Sequence, residues 1–423
     1  MWEKLVRISK IKALRNNVLF VVAMLIIFRV AAHIPVPGVN IENLRRFLEG
    51  NQVLGLLNLF SGGTMENFSI VLMGVGPYIT ASIILQLLTM VVPSLEELSK
   101  EGESGQKKIN LYTRLATVPL AFLQAFGMIK LLSQSQYAII GSLTPFRFVS
   151  IILTVTAGTV FLMWIGELIS ERKIGNGISL LIFAGIISAL PTAVQNAIVN
   201  YNPSDLTTYL LFVALAVITI VGVVIISEGQ RNIPISYAKQ IRGSRAFGGA
   251  KSFLPLRVNM AGVIPIIFAV SVVLFPPMIA QFFVRGGGAM AGAAQGVINL
   301  FNNQLFYGLL YFTLVFGFTY FYTAVIFHPQ KMAENLQRQG AFIPGIRPGK
   351  QTEEYIGKTM NRLLFPGALF LGAIAILPIV VQAFTKSQTL VIGGTSLLIV
   401  VSVAIETAKQ IEAQLTMYEY DKI

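Results

Sequence analysis

The chain contains no cysteine and only two histidines. The first absence excludes disulfides, thiolate metal sites and palmitoyl anchors. The second leaves His33 and His328 far apart, each at the end of an apolar run, which gives a zinc site no basis. Charge is scarce too: Asp, Glu, Lys and Arg make up 12% of the 423 residues, against 54% hydrophobic. That balance is too apolar for a soluble protein of this size and marks a membrane protein. Acidic residues are scarcest, 19 against 32 basic, for a net charge of +13. A nucleotide site is also missing. Gly345-Ile346-Arg347-Pro348-Gly349-Lys350 has one residue too few between its glycines for a phosphate loop, and no apparent strand precedes it. Gln351 stands where Ser or Thr should hold magnesium. No cluster of His, Asp, Glu or Ser stands at catalytic spacing, so neither an enzyme nor a cofactor is expected.

Long apolar runs are plentiful. Ten reach spanning length, at about residues 18–34, 69–91, 115–133, 148–167, 177–199, 209–227, 258–284, 305–327, 363–384 and 390–408. Each is about long enough to cross a ~30 Å hydrocarbon core. The first is expected to be a span and not a cleaved signal peptide, being too long for a signal core and lacking a small-residue cleavage site. Read as spans, the runs place 25 of the 32 cations on one side. These lie in the N-terminal tail, in the loops after spans two, four, six and eight, and near the C-terminus. Only Arg45, Arg46, Arg147, Arg285 and Lys386 lie opposite, with Arg29 and Lys130 inside spans. The positive-inside rule then puts both termini in the cytoplasm.

The same cations attract anionic lipids. The loops after spans six and eight exceed that need. Each runs about 30 residues with Gly, Pro and Arg interleaved, long enough to stand clear of the headgroups. Within the spans, Arg29, Glu167 and Glu406 are the clearest charges. A proton-coupled transporter would need more of them, deep and clustered. Arg29 reads as a structural cation that satisfies carbonyls or a neighbouring helix.

The expected fold is all-α and polytopic, with ten transmembrane helices in two inverted, pseudo-symmetric halves of five. Residues 1–199 form the first half and 207–423 the second. Between them, residues 200–206 hold the turn-rich Asn200-Tyr201-Asn202-Pro203-Ser204-Asp205, either an external hinge or a simple exposed turn. Inversion follows from span parity, since an odd number per half turns the second half over. After span one, Val53-Leu54-Gly55-Leu56-Leu57-Asn58-Leu59-Phe60 is apolar yet too short to span, and leads into Ser61-Gly62-Gly63-Thr64. It is either a re-entrant segment, tolerated where it lies against protein or a cavity, or an interfacial helix.

Several motifs carry a resemblance. They are Ile34-Pro35-Val36-Pro37-Gly38, Asn58-Leu59-Phe60-Ser61-Gly62-Gly63, Pro77-Tyr78-Ile79-Thr80-Ala81-Ser82-Ile83-Ile84 and Lys100-Glu101-Gly102-Glu103-Ser104-Gly105. Further along come Gly175-Asn176-Gly177-Ile178-Ser179 and Val258-Asn259-Met260-Ala261-Gly262-Val263-Ile264-Pro265. Gly340 to Gly349 and Gly393-Gly394-Thr395-Ser396-Leu397-Leu398-Ile399 complete the series. In this order, from span one to span ten, the chain resembles the SecY family, channel subunits of the bacterial protein translocase.

The resemblance implies a re-entrant plug at about residues 53–68, including Leu56, Leu57, Phe60, Gly62 and Gly63. It implies a constriction ring of Val75, Ile79, Ile182, Ile267 and Ile399, with Val75 where the family often has isoleucine. Branched aliphatics exclude water and so block ions by dewetting, and they offer a passing polypeptide no hydrogen bond. Gln86 and Asn259 would latch a lateral gate that releases apolar segments into lipid. Pro77 and Pro265 would kink spans two and seven beside it. Arg242, Arg245, Arg347 and Lys350 would dock the ribosome or the motor ATPase SecA through carboxylate or phosphate. SecE and SecG subunits, a translocating polypeptide and its signal peptide are the other expected partners, in the bacterial inner membrane. The competing reading is a secondary transporter of a small solute.

Overall fold

The computed structural model describes residues 10–49, 58, 61–133, 139–140, 144–199, 206–237, 240–242, 245–247, 251–284, 288–385 and 393–420. The chain forms two compact units. One comprises Met1–Thr207, Val270–Gln304 and Val403–Ile423; the other comprises Thr208–Ala269 and Leu305–Ser402.

The first unit opens with helix α1 (Lys12–Ala32), an apolar run that stops where His33 and Pro35 end the helical pattern. Isolated bridges Pro35↔Ser69 and Val39↔Ile140 then tie down the chain outside it. The side chain of Asn40 accepts from the amides of Glu42 and Asn43, both at 3.1 Å, and so caps α2 (Ile41–Glu49). Leu44 and Leu48 of α2 pack with Met65, Phe68 and Leu72 and with Met128, Leu132 and Ile152 further along the chain. Helix α3 (Gly76–Val91) breaks at extended Val92 and turns by 100° into α4 (Pro93–Lys100). Helices α5 (Glu103–Ser133), α6 (Pro145–Glu171) and α7 (Gly177–Val199) follow.

Glycines let these helices touch. A Cβ on Gly158 of α6 would lie 2.0 Å from the Ile70 carbonyl oxygen, and one on Gly177 of α7 would lie 1.8 Å from that of Gly166. Buried threonines hide their hydroxyls on the preceding turn. Thr113, Thr117, Thr156 and Thr159 each donate to the carbonyl four residues back, at 2.7–3.2 Å.

The second unit contains α8 (Leu206–Glu228), then four strands: β1 (Gln230–Tyr237), β2 (Gln240–Arg242), β3 (Arg245–Phe247) and β4 (Lys251–Arg257). Helix α9 (Ile264–Phe283) starts in this unit, and α10 (Gly288–Asn302) belongs to the first. Then come α11 (Gln304–Ile326), α12 (Pro329–Arg338), β5 (Ala341–Phe342), α13 (Lys350–Thr385) and α14 (Gly393–Tyr420). Strand β1 is central in a three-stranded antiparallel sheet, paired with β4 along its length and with β5 through Ser236↔Phe342 and Tyr237↔Ala341. Ile233 and Ile235 alternate inward with period two and meet Leu256, Leu336, Ile343 and Ile356.

The chain is therefore mostly helical and not all-α. The two long basic loops, expected only to stand clear of the headgroups, form one folded module with its own core. The short strand β5 also precedes the Gly345–Lys350 turn, where none is apparent from sequence. Both prolines expected to kink their helices instead sit in first turns, Pro77 second in α3 and Pro265 second in α9. The amide that proline lacks is unbonded there in any helix, so neither removes a hydrogen bond. The expected second span begins late, since Ser69 pairs in an isolated bridge, residues 70–75 are turns and the helix starts at Gly76.

Among the described residues, five helical stretches are long and apolar enough to cross a membrane: Lys12–Ala32, Glu103–Ser133, Pro145–Glu171, Gln304–Arg338 and Lys350–Val381. The bent pair Gly76–Val91 and Pro93–Lys100 could make a sixth. Gly177–Thr192, Val213–Glu228 and Ile264–Pro277 are apolar but shorter.

Candidate conduction path

Between α1 and α3 the described chain is irregular and buried. Residues 61–75 run almost entirely through turns, yet Ser61, Thr64, Phe68, Ser69 and Val71 are shielded from solvent. Backbone that deep needs internal partners, and local bonds supply them. The Gly63 amide donates to the Asn58 carbonyl at 2.8 Å, and the Ser69 amide to that of Thr64 at 3.2 Å. Thr64 Oγ1 reaches the Leu72 carbonyl at 3.1 Å. The Asn58 side chain closes the loop, donating to the Glu66 carboxylate and accepting from the Glu66 amide at 3.3 Å.

Gly62 and Gly63 have φ of 80° and 74°, a left-handed backbone that favours glycine. Gly62 also lies against Gly185 of α7, where a Cβ on Gly185 would fall 2.2 Å from the Gly62 Cα. Arg29 of α1 donates from Nη1 to the Gly62 carbonyl at 2.9 Å, so its expected carbonyl partner is present. Leu56, Leu57 and Phe60 lie outside the described residues.

The turns end at Val75, whose carbonyl accepts from the Ile79 amide at 3.1 Å, so the two side chains lie one turn apart at the start of α3. Both are buried, as is Ile182 on α7. In the second unit, Ile267 in the first turns of α9 and Ile399 on α14 are buried aliphatics as well. None of the five carries a hydrogen-bonding side-chain group.

Gln86 on α3 donates to Ser82 Oγ at 3.2 Å, and Asn259 donates to the Gly262 carbonyl at 3.3 Å. Each leaves its side-chain carbonyl buried with no partner among the described residues. Elsewhere in the first unit Arg114 of α5 pairs with Glu167 of α6, which neutralises one of the few expected intramembrane charges.

On the sheet module, Arg242 and Arg245 are paired positions flanking the tip of the β2–β3 hairpin. Arg347 is exposed on the turn that leads from β5 to α13, between Gly345 at φ 83° and Gly349 at φ 98°. Its carbonyl accepts from Thr352 Oγ1 at 2.9 Å, and Lys350, exposed, opens α13. Among the described residues no three His, Asp or Glu side chains gather as a metal site.

The Gly62–Gly185 and Ile70–Gly158 approaches were not expected from sequence. Isolated glycines inside apolar helices were the available signal, since such positions usually have a packing reason.

A model of the SecY family matches residues 69–408. The protein translocase subunit SecY of Halalkalibacterium halodurans is 45% identical over 431 residues, covering 99% of each chain. A solved structure of a protein-conducting channel superposes with a TM-score of 0.62 at 17% identity, covering 93% of this chain and 91% of that one. Sec61 in a canine ribosome–channel complex from the endoplasmic reticulum gives 0.60 at 16% identity, with the same coverage.

Proposed function

Because the chain belongs to the SecY family of protein-conducting channels, we propose that it passes unfolded polypeptides through a pore closed by Val75, Ile79, Ile182, Ile267 and Ile399. It is a multi-pass membrane protein and not an enzyme, and family membership removes the small-solute transporter as a competing reading. The observation that carries the pore reading is the buried, non-helical stretch 61–75, which delivers the chain directly to Val75 and Ile79. Irregular backbone at membrane depth is tolerated only against protein or a water-filled cavity. That favours a re-entrant plug at about 53–68 over a surface helix.

On this reading ten spans form two inverted halves, 1–199 and 207–423, joined at an external hinge, residues 200–206, of which 200–205 lie outside the described residues. Gln86 and Asn259 suit a lateral gate, because each holds a buried acceptor ready for a new partner. A polar contact between membrane helices contributes only ~0.6 kcal/mol on average, enough to latch a gate without locking it. Arg242, Arg245, Arg347 and Lys350 are the proposed docking positions for SecA or the ribosome, and SecE and SecG complete the proposed complex in the bacterial inner membrane. The ribosome-bound Sec61 structure supports the ribosome as a partner by fold.

The chain lacks cysteine, which permits a direct test. A single cysteine at Ile79 or Ile182 should form a disulfide with a cysteine in a translocation-arrested polypeptide. Leu111→Cys, on an exposed apolar face of α5, should not. Equal crosslinking at Leu111, or none at Ile79 and Ile182, removes the ring.

A further inference from the structure

The bond from Arg29 to Gly62 joins a cation within the first apolar helix to the backbone of a segment 33 residues later. Both ends are fixed. His33 Nδ1 lies 2.8 Å from the Arg29 carbonyl, and the Arg29 guanidinium carbon lies 5.8 Å from the Phe28 ring centroid. Phe28 also bounds Gly62 itself: a Cβ built there would meet its Cζ at 3.1 Å. On the other side stands Gly185. Gly62 is thus wedged between α1 and α7, with its carbonyl aimed at the guanidinium by a left-handed φ of 80°. The bonds between Asn58 and Glu66 make the surrounding loop a closed unit, so the loop cannot leave without breaking the contact to Arg29.

We propose that Arg29 is a positioning residue that fastens the plug, holding Asn58 and residues 61–66 in the resting, ion-tight state and releasing them when the channel opens. The proposal rests on the plug reading above. A charged donor on a backbone carbonyl is a strong bond in a poorly hydrated setting. Water entering an opened channel can replace the carbonyl, so the fastening is reversible. A structural cation needed only for folding would be indifferent to whether the plug is present.

The test is resting ion conductance of the reconstituted full-length channel, measured for Arg29→Met and Arg29→Lys, each also in a background lacking residues 53–68. Loss of one charge-assisted bond should raise the resting conductance about tenfold or more for Arg29→Met. Arg29→Lys, which keeps a charged donor, should restore most of the seal. In the plug-deleted background, already leaky, neither change should add anything. Gly185→Ala provides an independent route, because its methyl would displace Gly62 while leaving Arg29 in place; it should leak as Arg29→Met does.

A leaking deletion with a tight Arg29→Met overturns the fastening and leaves the plug standing. So does a leak from Arg29→Met that adds to that of the deletion. A deletion that does not leak removes the plug reading, and the fastening with it. Should Arg29→Met fail to fold, the Arg29→Lys and Gly185→Ala channels decide by the same measurement.

Discussion

Arg347 owes its position to its neighbours more than to itself. Positive φ at Gly345 and Gly349 shapes the turn, Ile346 anchors it to the module core, and Thr352 bonds the Arg347 carbonyl. A guanidinium on so fixed a turn loses little freedom on binding, and it can pair bidentately with a carboxylate or phosphate. Topology does not need it, since the same loop keeps five other cations. Arg347→Glu should therefore preserve expression, orientation and the resting seal, yet reduce SecA-driven translocation by about tenfold or more, the cost of turning an attractive charge pair repulsive. Arg347→Ala should fall between. Translocation of a secretory substrate into vesicles with SecA and ATP, beside a ribosome-binding assay, measures this; unchanged rates in both return Arg347 to a purely topological role. This turn was legible in the sequence because proline and glycine act on their own backbone. The wedge at Gly62 was not, because its shape is decided by Gly185, on a distant helix.

At the scale of elements, the apolar helices could be read from run length alone, while the sheet module could not. Its sheet joins β1 to β5 across about a hundred residues, and no local pattern announces a two-residue strand. The alternation of Ile233 and Ile235 is a signal that could have found its first strand. The prolines misled for a related reason: Pro77 and Pro265 would break a helix interior, but they open helices instead. Where an opening falls depends on the turns before it.

Since both basic loops share one core, damage at its centre should disable both proposed docking sites together. Ile233→Ala removes fully buried methyls and should cost the module about 2–5 kcal/mol. Trypsin should then cut faster at Arg231 and Arg257, and partner-driven translocation should fall while resting conductance stays low. Faster cutting with normal translocation would separate the module's fold from docking.

At the scale of the molecule, charge decides orientation before any side chain packs. With 25 cations assigned to one side against five on the other, the inverted orientation would carry many arginines and lysines across the bilayer, each strongly disfavoured in hydrocarbon. Parity adds a sharper requirement. If five spans precede Ser204 and five follow it, Ser204 must lie outside while Phe253 and Met417 lie inside. The chain's lack of cysteine makes this measurable at single positions. Phe253 and Met417 are exposed, so cysteines there disturb little packing. In intact cells a membrane-impermeant maleimide should label Ser204→Cys and spare Phe253→Cys and Met417→Cys, which should react only after permeabilisation. Labelling of Phe253→Cys from outside would reverse the orientation of the second unit. Protection of Ser204→Cys together with the other two would mean an even number of crossings before it, and two halves that are not inverted. The apolar stretches Gly177–Thr192, Val213–Glu228 and Ile264–Pro277 fall short of spanning length, so positions on either side of them are where parity is most exposed to test.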